Sequence, residues 1–368
     1  MKVICDGLAL SDAVSKVIKA IPIKKNNSIL ESIKFMAYNN TLTLLATDLE
    51  LAIKKSIIAD VKIEGEALIP AKFFAELIRS LSTEQLKLDT ADGKEVLIEY
   101  GDNKGIIKCG DVAEYPNIEE VEKKAELKIS KKELKDVINK TIFAAAAEDT
   151  RPILKGCLFE VSGDNLTVVA LDGYRLALCN KKLNGADNKE EKFVIPARSL
   201  SEISKLIENE ENDITLIFDK DKMLVEADNT VIISRLLSGD FINYKNIILK
   251  EFNTTAVFSR EQFSSSVGRA SIISRMSKNK LVKIEIKENY LTVDSNSEAG
   301  NIHESIPTKT EGKDNIICFN GQYLLDFINV LTDDFIKMNI KASNSPCIFT
   351  QVEGEEYVYL ILPMRVTA

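Results

Sequence analysis

The chain has 368 residues, of which 45% are hydrophobic and 28% are charged, and its formal net charge is −8. This composition excludes a disordered or collagen-like protein, and the length suffices for about three domains of the commonest size, ~100–150 residues each. The acidic balance argues against a simple nucleic-acid-binding protein, because such proteins usually carry a basic excess.

The sequence predicts neither a targeting segment nor a membrane span. Asp6 interrupts the amino-terminal stretch before it reaches the ~7–15 apolar residues of a signal-peptide core. No run approaches the ~18 apolar residues that span a bilayer. The six cysteines are scattered without a C-x-x-C pair, which indicates reduced residues rather than disulfides or a metal site. We therefore expect a cytoplasmic protein that does not enter a membrane.

The first predicted elements are helices that recur at one third of the chain length. The stretch 12–20 reads DAVSKVIKA, and the stretch 136–144 reads DVINKTIFA. Apolar residues in the second stretch recur at helical spacing and form one stripe. Ser259 and Gln262 fit a capping box, so a third such helix is predicted to begin near Ser259.

Each of these helices is followed by an apolar stretch that alternates as a strand does. The three stretches read LTLLATDLELAI, LTVVALDGYRLAL and LTVDSNSEAGNI, and they begin at Leu42, Leu166 and Leu291. Each reaches an aspartate at which we expect a turn, namely Asp48, Asp172 and Asp294. The first two stretches then resume as a second strand. This recurrence predicts three related domains.

A second helix is predicted after each strand pair. Its three versions read IPAKFFAELIRSL, IPARSLSEISKLI and FNGQYLLDFINVL, and they begin at Ile69, Ile195 and Phe319. Proline in the first helical turn presets the backbone angle in the first two, and the third has a different cap. Further strands follow, so one repeat reads helix, strands, helix, strands. Polar linkers then give domains at residues 1–120, 128–248 and 250–368.

Groups suited to catalysis are scarce. The single histidine, His303, cannot form a zinc site by itself, and the sequence has no phosphate-binding loop motif. Ser277 and Lys280 match S-x-x-K without its companion motifs. Asp48 and Asp172 could act as an acid and a base, but aspartate at a strand turn more often binds backbone amides. The sequence thus predicts no catalytic residue, no metal site and no cofactor.

Charge is distributed unevenly along the chain. The predicted helical windows are 12–25, 71–80, 130–147, 197–207, 259–280 and 320–332. Over these windows Lys and Arg exceed Asp and Glu by about 10, so the rest of the chain carries about −18. A basic helical face beside acidic strands indicates a surface that meets phosphate. Ordinary solvated lysines are the alternative interpretation.

Taken together, these repeats resemble those of a known family. The segments DTRPILKGCLFEV (149–161), LTVVALDGYRLAL and LPMRV (362–366), with the Ile-Pro-Ala helix starts, are similar to those of the bacterial DNA polymerase III β subunits, the sliding clamps. The resemblance runs from residue 1 to the end. It implies the DNA clamp fold, which is an α+β fold of three tandem similar domains, each with two helices packed on antiparallel sheets.

The resemblance also implies a function without catalysis. Two subunits of this family close head to tail into a homodimeric ring, and helices line the hole through which double-stranded DNA passes. The implied partners are duplex DNA of any sequence, a second copy of the chain, the replicative DNA polymerase catalytic subunit, the clamp-loader complex, and other polymerases and repair proteins that carry clamp-binding peptides. Loose contact with phosphate leaves such a ring free to slide.

The resemblance further implies three sets of site residues. The partner-peptide groove comprises Leu154, Gly173, Tyr174, Arg175, Leu176, Ile242, Ile247, Ile361, Leu362, Pro363, Met364 and Arg365. Lys24, Lys72 and Arg198 match DNA-facing positions, and the helix pattern adds Lys25, Arg79 and Lys205. The dimer interface includes Ile107, Ile272 and Ile273. Leu176 and Met364 could instead be core residues.

Several positions depart from the family pattern. Gly105 stands where a bulky aromatic residue is frequent, and Glu148 stands where an amide is common. Ile242, Asn246 and Tyr174 stand where proline, arginine and histidine are frequent, and Thr367 and Ala368 extend past the usual end. We expect these departures to alter partner preference but not the use of the groove.

Two functions of other classes stay open at this point. One is a regulatory protein that binds a small ligand between domains, which predicts a saturable small-molecule site. The other is a hydrolase, which predicts turnover of a substrate. Neither function would depend on whether DNA is circular or linear.

Overall fold

A computed structural model of the chain describes residues 1–22, 29–81, 85–90, 93–148, 151–183, 190–207, 210–276, 280–354 and 356–364. The chain divides into two compact units. The first comprises Met1–Lys131 and Lys205–Leu236, and the second comprises Lys132–Ser204 and Leu237–Ala368.

The order of elements occurs three times in the described residues: a strand, a helix, four or five strands, a second helix and three strands. The first repeat contains α1 (Gly7–Val17), α2 (Ala71–Ser80), β1 (Lys2–Asp6), β2 (Ser32–Tyr38), β3 (Thr41–Thr47), β4 (Leu51–Ile58), β5 (Asp60–Ile63), β6 (Gly65–Pro70), β7 (Gln85–Asp89), β8 (Glu95–Tyr100) and β9 (Asn103–Lys108). The sequence prediction missed the strand that opens each repeat.

The second and third repeats follow the same order. The second contains α3 (Lys131–Thr141), α4 (Ala197–Leu206), β10 (Ala125–Ser130), β11 (Gly156–Ser162), β12 (Asn165–Leu171), β13 (Arg175–Lys182), β14 (Glu191–Pro196), β15 (Asp213–Phe218), β16 (Lys222–Ala227) and β17 (Thr230–Arg235). The third contains α5 (Arg260–Ser274), α6 (Gly321–Ile328), β18 (Thr254–Ser259), β19 (Leu281–Ile286), β20 (Tyr290–Ser297), β21 (Gly300–Gly312), β22 (Asn315–Asn320), β23 (Phe335–Ile340), β24 (Cys347–Thr350) and β25 (Tyr357–Ile361).

Antiparallel pairing joins the described strands into three sheets. Their orders are β5-β1-β7-β8-β9, β10-β15-β16-β17-β4-β3-β2-β6 and β14-β11-β12-β13-β25-β24-β23-β18-β21-β20-β19-β22. The pair β4–β17 joins the first repeat to the second, and the pair β13–β25 joins the second to the third. Because the second repeat contributes strands to two sheets, the chain divides into two compact units rather than three.

The helices bury one stripe each, as their spacing predicts. In α2 the buried side chains are Phe74 and Ile78 with two alanines, which recur at intervals of three or four residues. The helix start predicted near Ser259 is confirmed, because the Ser259 hydroxyl accepts a hydrogen bond from the Gln262 N–H. Asn320 caps α6 in the same way, which is the different cap expected for the third repeat.

The position predicted for the prolines was wrong by one residue. Pro70 and Pro196 are the last residues of β6 and β14, and α2 and α4 begin at the residues that follow them. A proline with φ near −57° fits an extended strand end as well as a helical turn, so the sequence could not distinguish the two places.

Asp48 and Asp172 hold strand turns, as their sequence context predicts. The Asp48 carboxylate accepts hydrogen bonds from the N–H groups of Glu50 and Leu51, and Asp172 does the same for Tyr174 and Arg175. Both carboxylates therefore serve the backbone rather than acid–base chemistry.

The turn predicted at Asp294 was wrong. Asp294 lies inside β20, and the turn comes three residues later, at Ser297. The Ser297 hydroxyl accepts a hydrogen bond from the Ala299 N–H at 3.2 Å, so serine replaces the aspartate of the other repeats. Counted from Leu291, Ser297 occupies the place that Asp48 occupies counted from Leu42.

Candidate functional sites

The predicted groove begins at the turn between β12 and β13. Gly173 has a φ of 93°, which favours glycine, and the equivalent Leu49 of the first repeat has a φ of 76°. The next residue, Tyr174, is 63% exposed. The Tyr174 carbonyl accepts a hydrogen bond from the Leu362 N–H at 2.8 Å. The turn is therefore attached to the carboxyl-terminal segment.

The carboxyl-terminal segment continues from β25 along the second unit. Ile361 is fully buried, whereas Leu362 is exposed and Pro363 and Met364 are half-buried. The Met364 N–H donates to the carbonyl of Cys318 in β22 at 2.8 Å. Two backbone hydrogen bonds thus fix the segment in place and leave the Met364 side chain partly accessible.

Four predicted groove residues belong to one hydrophobic cluster of the second unit. Leu154 and Leu176 are 4% and 2% exposed, so their side chains form part of the core. Ile242 and Ile247 pack against this cluster and stay partly exposed. Of the four, only these two isoleucines therefore contribute accessible apolar surface, whereas Leu154 and Leu176 belong to the core.

Ile242 also lines a cleft of about 480 Å³, together with Phe241 and other apolar residues. Glu160 is one of several polar residues that also line the cleft, and its carboxylate pairs with Lys192 at 3.0 Å and Lys245 at 3.3 Å. Both lysine side chains are about two-thirds exposed, at 64% and 65%. Such a lining can hold an apolar side chain beside a charged surface.

Arg175 makes contacts that the sequence prediction did not include. Its guanidinium donates to carboxylate oxygens of Asp172 at 3.0 Å and Asp326 at 2.5 Å, and to the Phe143 carbonyl at 2.6 Å. Its Cζ lies 4.3 Å from the centroid of the Tyr323 ring. Arg175 therefore joins β13 of the second repeat to α6 of the third. The available signal was Asp326, the single charged residue in the apolar stretch FNGQYLLDFINVL.

Four of the six residues predicted to face DNA lie in described helices. Lys72 and Arg79 are exposed on α2 and lie seven residues apart, which places them on the same side of the helix. Arg198 is half-buried near the start of α4, and Lys205 is exposed near its end. Lys24, Lys25 and Arg365 lie outside the described residues.

The residues predicted for the dimer interface differ in exposure. Ile272 on α5 is 63% exposed, and its neighbour Ile273 is half-buried. One turn further on, Met276 is 74% exposed. On β9, Ile107 is only 7% exposed, whereas Ile106 is 61% exposed. Exposed apolar surface is thus present on both elements.

Phe73 is an exposed aromatic residue that the sequence prediction missed. It is 62% exposed on α2, whereas the adjacent Phe74 is fully buried. Neighbouring residues of a helix point ~100° apart, so a narrow buried stripe holds only one of two adjacent phenylalanines. The double phenylalanine in IPAKFFAELIRSL was the available signal.

The described residues contain no group of three or more His, Cys, Asp or Glu side chains that could hold a metal ion. The cysteines are free thiols, and burial raises the pKa of Cys5 and Cys157 to about 12, so both stay protonated at neutral pH. His303 lies exposed on β21, with Nδ1 2.5 Å from a carboxylate oxygen of Asp294. No helix in the described part of the chain is long and apolar enough to cross a membrane.

Comparison with known proteins assigns all three repeats to one family. The models for the DNA polymerase III beta subunit match residues 1–119 as the N-terminal domain, 128–243 as the central domain and 245–365 as the C-terminal domain. The Beta sliding clamp of Bacillus subtilis is 28% identical over 367 residues, which cover 97% of each chain.

Solved structures agree with this assignment. The DNA polymerase sliding clamp from Bacillus subtilis matches with a TM-score of 0.95 and 28% identity over 100% of both chains. The DNA polymerase III beta subunit from Thermotoga maritima matches with a TM-score of 0.91 and 26% identity, also over 100% of both chains. The fold is thus the α+β clamp fold, with three tandem similar domains.

These matches exclude the hydrolase, because all three domains belong to a family without a catalytic site of its own. The chain therefore belongs to the DNA polymerase III beta subunit family, and its function is that of a non-catalytic DNA sliding clamp.

Proposed function

We propose that two copies of the chain close head to tail into a ring that encircles double-stranded DNA and slides along it without reading its sequence. The domains are proposed at residues 1–120, 128–248 and 250–368. The ring acts in the cytoplasm, requires no cofactor and tethers DNA polymerase III to its template.

The way in which successive repeats are joined is the observation that carries this proposal. The repeats are joined twice by the same antiparallel strand pairing, first β4–β17 and then β13–β25. Strand β9 ends its sheet, and residues 300–306 of β21 pair with β20 on one side only among the described residues. Pairing β9 of one copy with β21 of a second copy makes a third junction of the same kind. Two such junctions close a ring of two chains.

Exposed basic side chains on the helices support contact with the DNA backbone. Lys72 and Arg79 lie on one side of α2, and Lys205 is exposed on α4. We expect them, with Arg198, to face phosphates through water, because a sliding ring needs attraction without fixed contacts. The acidic remainder of the chain disfavours binding of DNA elsewhere.

The partner-peptide groove is proposed to recruit replication proteins. Ile242 and Ile247 offer accessible apolar surface, and Met364 is half-buried. We expect the adaptable Met364 side chain to line the groove with them. A short peptide with two apolar side chains suits this surface. Its sources are the replicative polymerase catalytic subunit, the clamp-loader complex, and other polymerases and repair proteins that carry such peptides.

Size-exclusion chromatography with light scattering tests the proposed ring. A stable dimer has a mass of about 82 kDa, twice the 41.0 kDa of one chain. Replacing Ile272 and Ile273 by alanine is expected to yield monomers, because truncating a buried isoleucine costs ~2–5 kcal/mol. A wild-type chain that stays monomeric at every concentration would contradict the ring.

A further inference from the structure

Strand β25 of the third repeat meets the second repeat in an aromatic cluster. The Tyr359 ring lies 5.7 Å from the Phe143 ring, which follows α3, and stacks on Phe327 of α6 at 4.7 Å, measured between centroids. The Arg175 guanidinium fills the space between Phe143 and Tyr323. This junction within the chain shows how a helix end, a strand and a second helix pack where two repeats meet.

The strand register of this junction also occurs between the first two repeats. Tyr359 of β25 lies opposite Ala177 of β13, and Ile232 of β17 lies opposite Ile53 of β4. Ala177 and Ile53 are equivalent, because each is the fifth residue after the aspartate of its turn. Tyr359 and Ile232 therefore occupy the same place in their repeats.

The same count identifies the corresponding residues of β9 and β21. Gly105 and Ile232 follow the turns of their hairpins, β8–β9 and β16–β17, at the same distance along the chain. Gly105 is therefore equivalent to Ile232, and thus to Tyr359. Gly300 follows the turn between β20 and β21 at the same distance as Arg175 follows the turn between β12 and β13, so these two residues are also equivalent. Both large side chains of the internal junction are thus replaced by glycine. A Cβ added at either glycine would meet no atom within 4 Å.

The helices supply large apolar side chains at the matching positions. Phe73 is the third residue of α2, as Tyr323 is of α6. Ile272 is the thirteenth residue counted from the start of α5, as Phe143 is from the start of α3. Phe73 and Ile272 are 62% and 63% exposed in the single chain, so each offers unburied apolar surface.

We propose that Phe73 of one copy packs against Ile272 of a second copy and fills the space that Gly105 and Gly300 leave at the ring interface. This inference rests on the proposed ring and adds the register, in which Gly105 lies opposite Ile302 of the second copy. At the internal junction a strand supplies the aromatic side chain, Tyr359, whereas at the ring interface a helix supplies it, Phe73. Phe73 is therefore the principal anchor of ring closure.

Sedimentation of the fluorescently labelled full chain over a dilution series tests this proposal. Phe73→Ala is expected to raise the dimer dissociation constant by roughly 10- to 100-fold, as expected for truncation of a buried aromatic anchor. Phe335→Ala is the matched control, because Phe335 is also exposed, at 54%, and lies on β23, which β18 separates from β21. The control is expected to keep the wild-type constant.

A second variant tests the register. Gly105→Tyr in the Phe73→Ala background adds an aromatic side chain at the position that Tyr359 occupies in the internal junction. We expect this second substitution to recover most of the lost dimer affinity. If Phe73→Ala weakens the dimer no more than Phe335→Ala does, the proposed role of Phe73 is wrong. That result would not contradict the proposed dimeric ring. Loss of affinity without recovery by Gly105→Tyr overturns the register. A wild-type chain that never dimerises refutes the ring and this inference together.

Discussion

The guanidinium of Arg175 donates a hydrogen bond to the carboxylate of Asp326 at 2.5 Å, and this pair joins strand β13 to helix α6. The Arg175 side chain is 10% exposed, and that of Asp326 is 23% exposed. Strand and helix belong to different repeats, so the pair fixes the junction beside the predicted groove. A charge buried in this way is stabilised only as long as its partners remain.

Arg175→Ala is expected to destabilise the chain by about 3 kcal/mol, because it leaves the Asp326 and Asp172 carboxylates partly buried without their counter-charge. Urea unfolding followed by circular dichroism measures the loss. Lys62→Ala is the control, since Lys62 also pairs with a carboxylate but is 53% exposed, and we expect a much smaller effect from it. Equal shifts of the two midpoints would show that Arg175 does not support the junction.

Removal of the carboxyl-terminal segment is expected to abolish peptide binding. Deleting Pro363 to Ala368 should leave a folded dimer, because β25 ends before the deletion. Met364→Ala is expected to weaken a Gln-Leu-x-Leu-Phe type peptide by ~1–3 kcal/mol, the range for a buried anchor contact. Fluorescence anisotropy with a labelled peptide gives both affinities.

The matched control for the groove is Ile58→Ala, because Ile58 is 91% exposed on β4 in the other compact unit. We expect the control to bind the peptide as the wild type does. Equal affinity in the wild type, Met364→Ala and the deletion variant would place the partner site elsewhere.

Exposed basic residues of α2 are expected to set the salt dependence of DNA binding. Replacing Lys72 and Arg79 by alanine should weaken binding to a short linear duplex and lower the slope of log K against log salt by about one to two. Anisotropy titrations at several salt concentrations measure the slope. Lys62→Ala is the control, because Lys62 is also exposed but lies on β5, where it pairs with Asp60. If the control loses as much affinity for DNA as the double variant does, the basic residues of α2 do not form a specific DNA-facing surface.

Glu304 on β21 is expected to titrate far below an ordinary glutamate. Hydrogen bonds from Arg269 on α5, and from Ser266, hold the pKa of Glu304 at about 2 against an ordinary 4.5. Because the pKa is depressed, the interaction stabilises the fold above pH 4.5 and is lost as pH falls towards 2. Carboxyl NMR titration should show the value rising in Arg269→Ala. An unchanged value would mean that the pair does not form in solution.

The repeat pattern carried most of the fold prediction. Helix starts such as that at Ser259 and the strand turns at Asp48 and Asp172 follow from local hydrogen bonding, which short motifs encode. The turn in the third repeat was not predicted correctly, because serine replaces aspartate at Ser297. Asp294, which lies nearer to the start of the stretch, matched the pattern by chance. The strand that opens each repeat was not predicted, because it is only five or six residues long.

Site residues were harder to predict, because exposure and long-range contacts decide their roles. The sequence alone could not show that Leu176 is core, or that Arg175 binds Asp326 across 151 positions of the chain. Phe73 and Phe74 look alike in sequence, yet only the helical register tells which is exposed. The positions that stay predictions, above all the DNA-facing lysines, depend on partners that the single chain does not contain.

Retention on circular DNA tests the central claim most directly. The chain is loaded by its cognate clamp-loader complex onto a nicked circular duplex, washed at high salt, and followed after a single cut by a restriction enzyme. A ring held by topology is expected to stay on the circle at high salt and to leave once the circle is cut, because its phosphate contacts alone are weak. Loss from the intact circle at high salt, or retention on the cut DNA, would contradict a ring that encircles and slides.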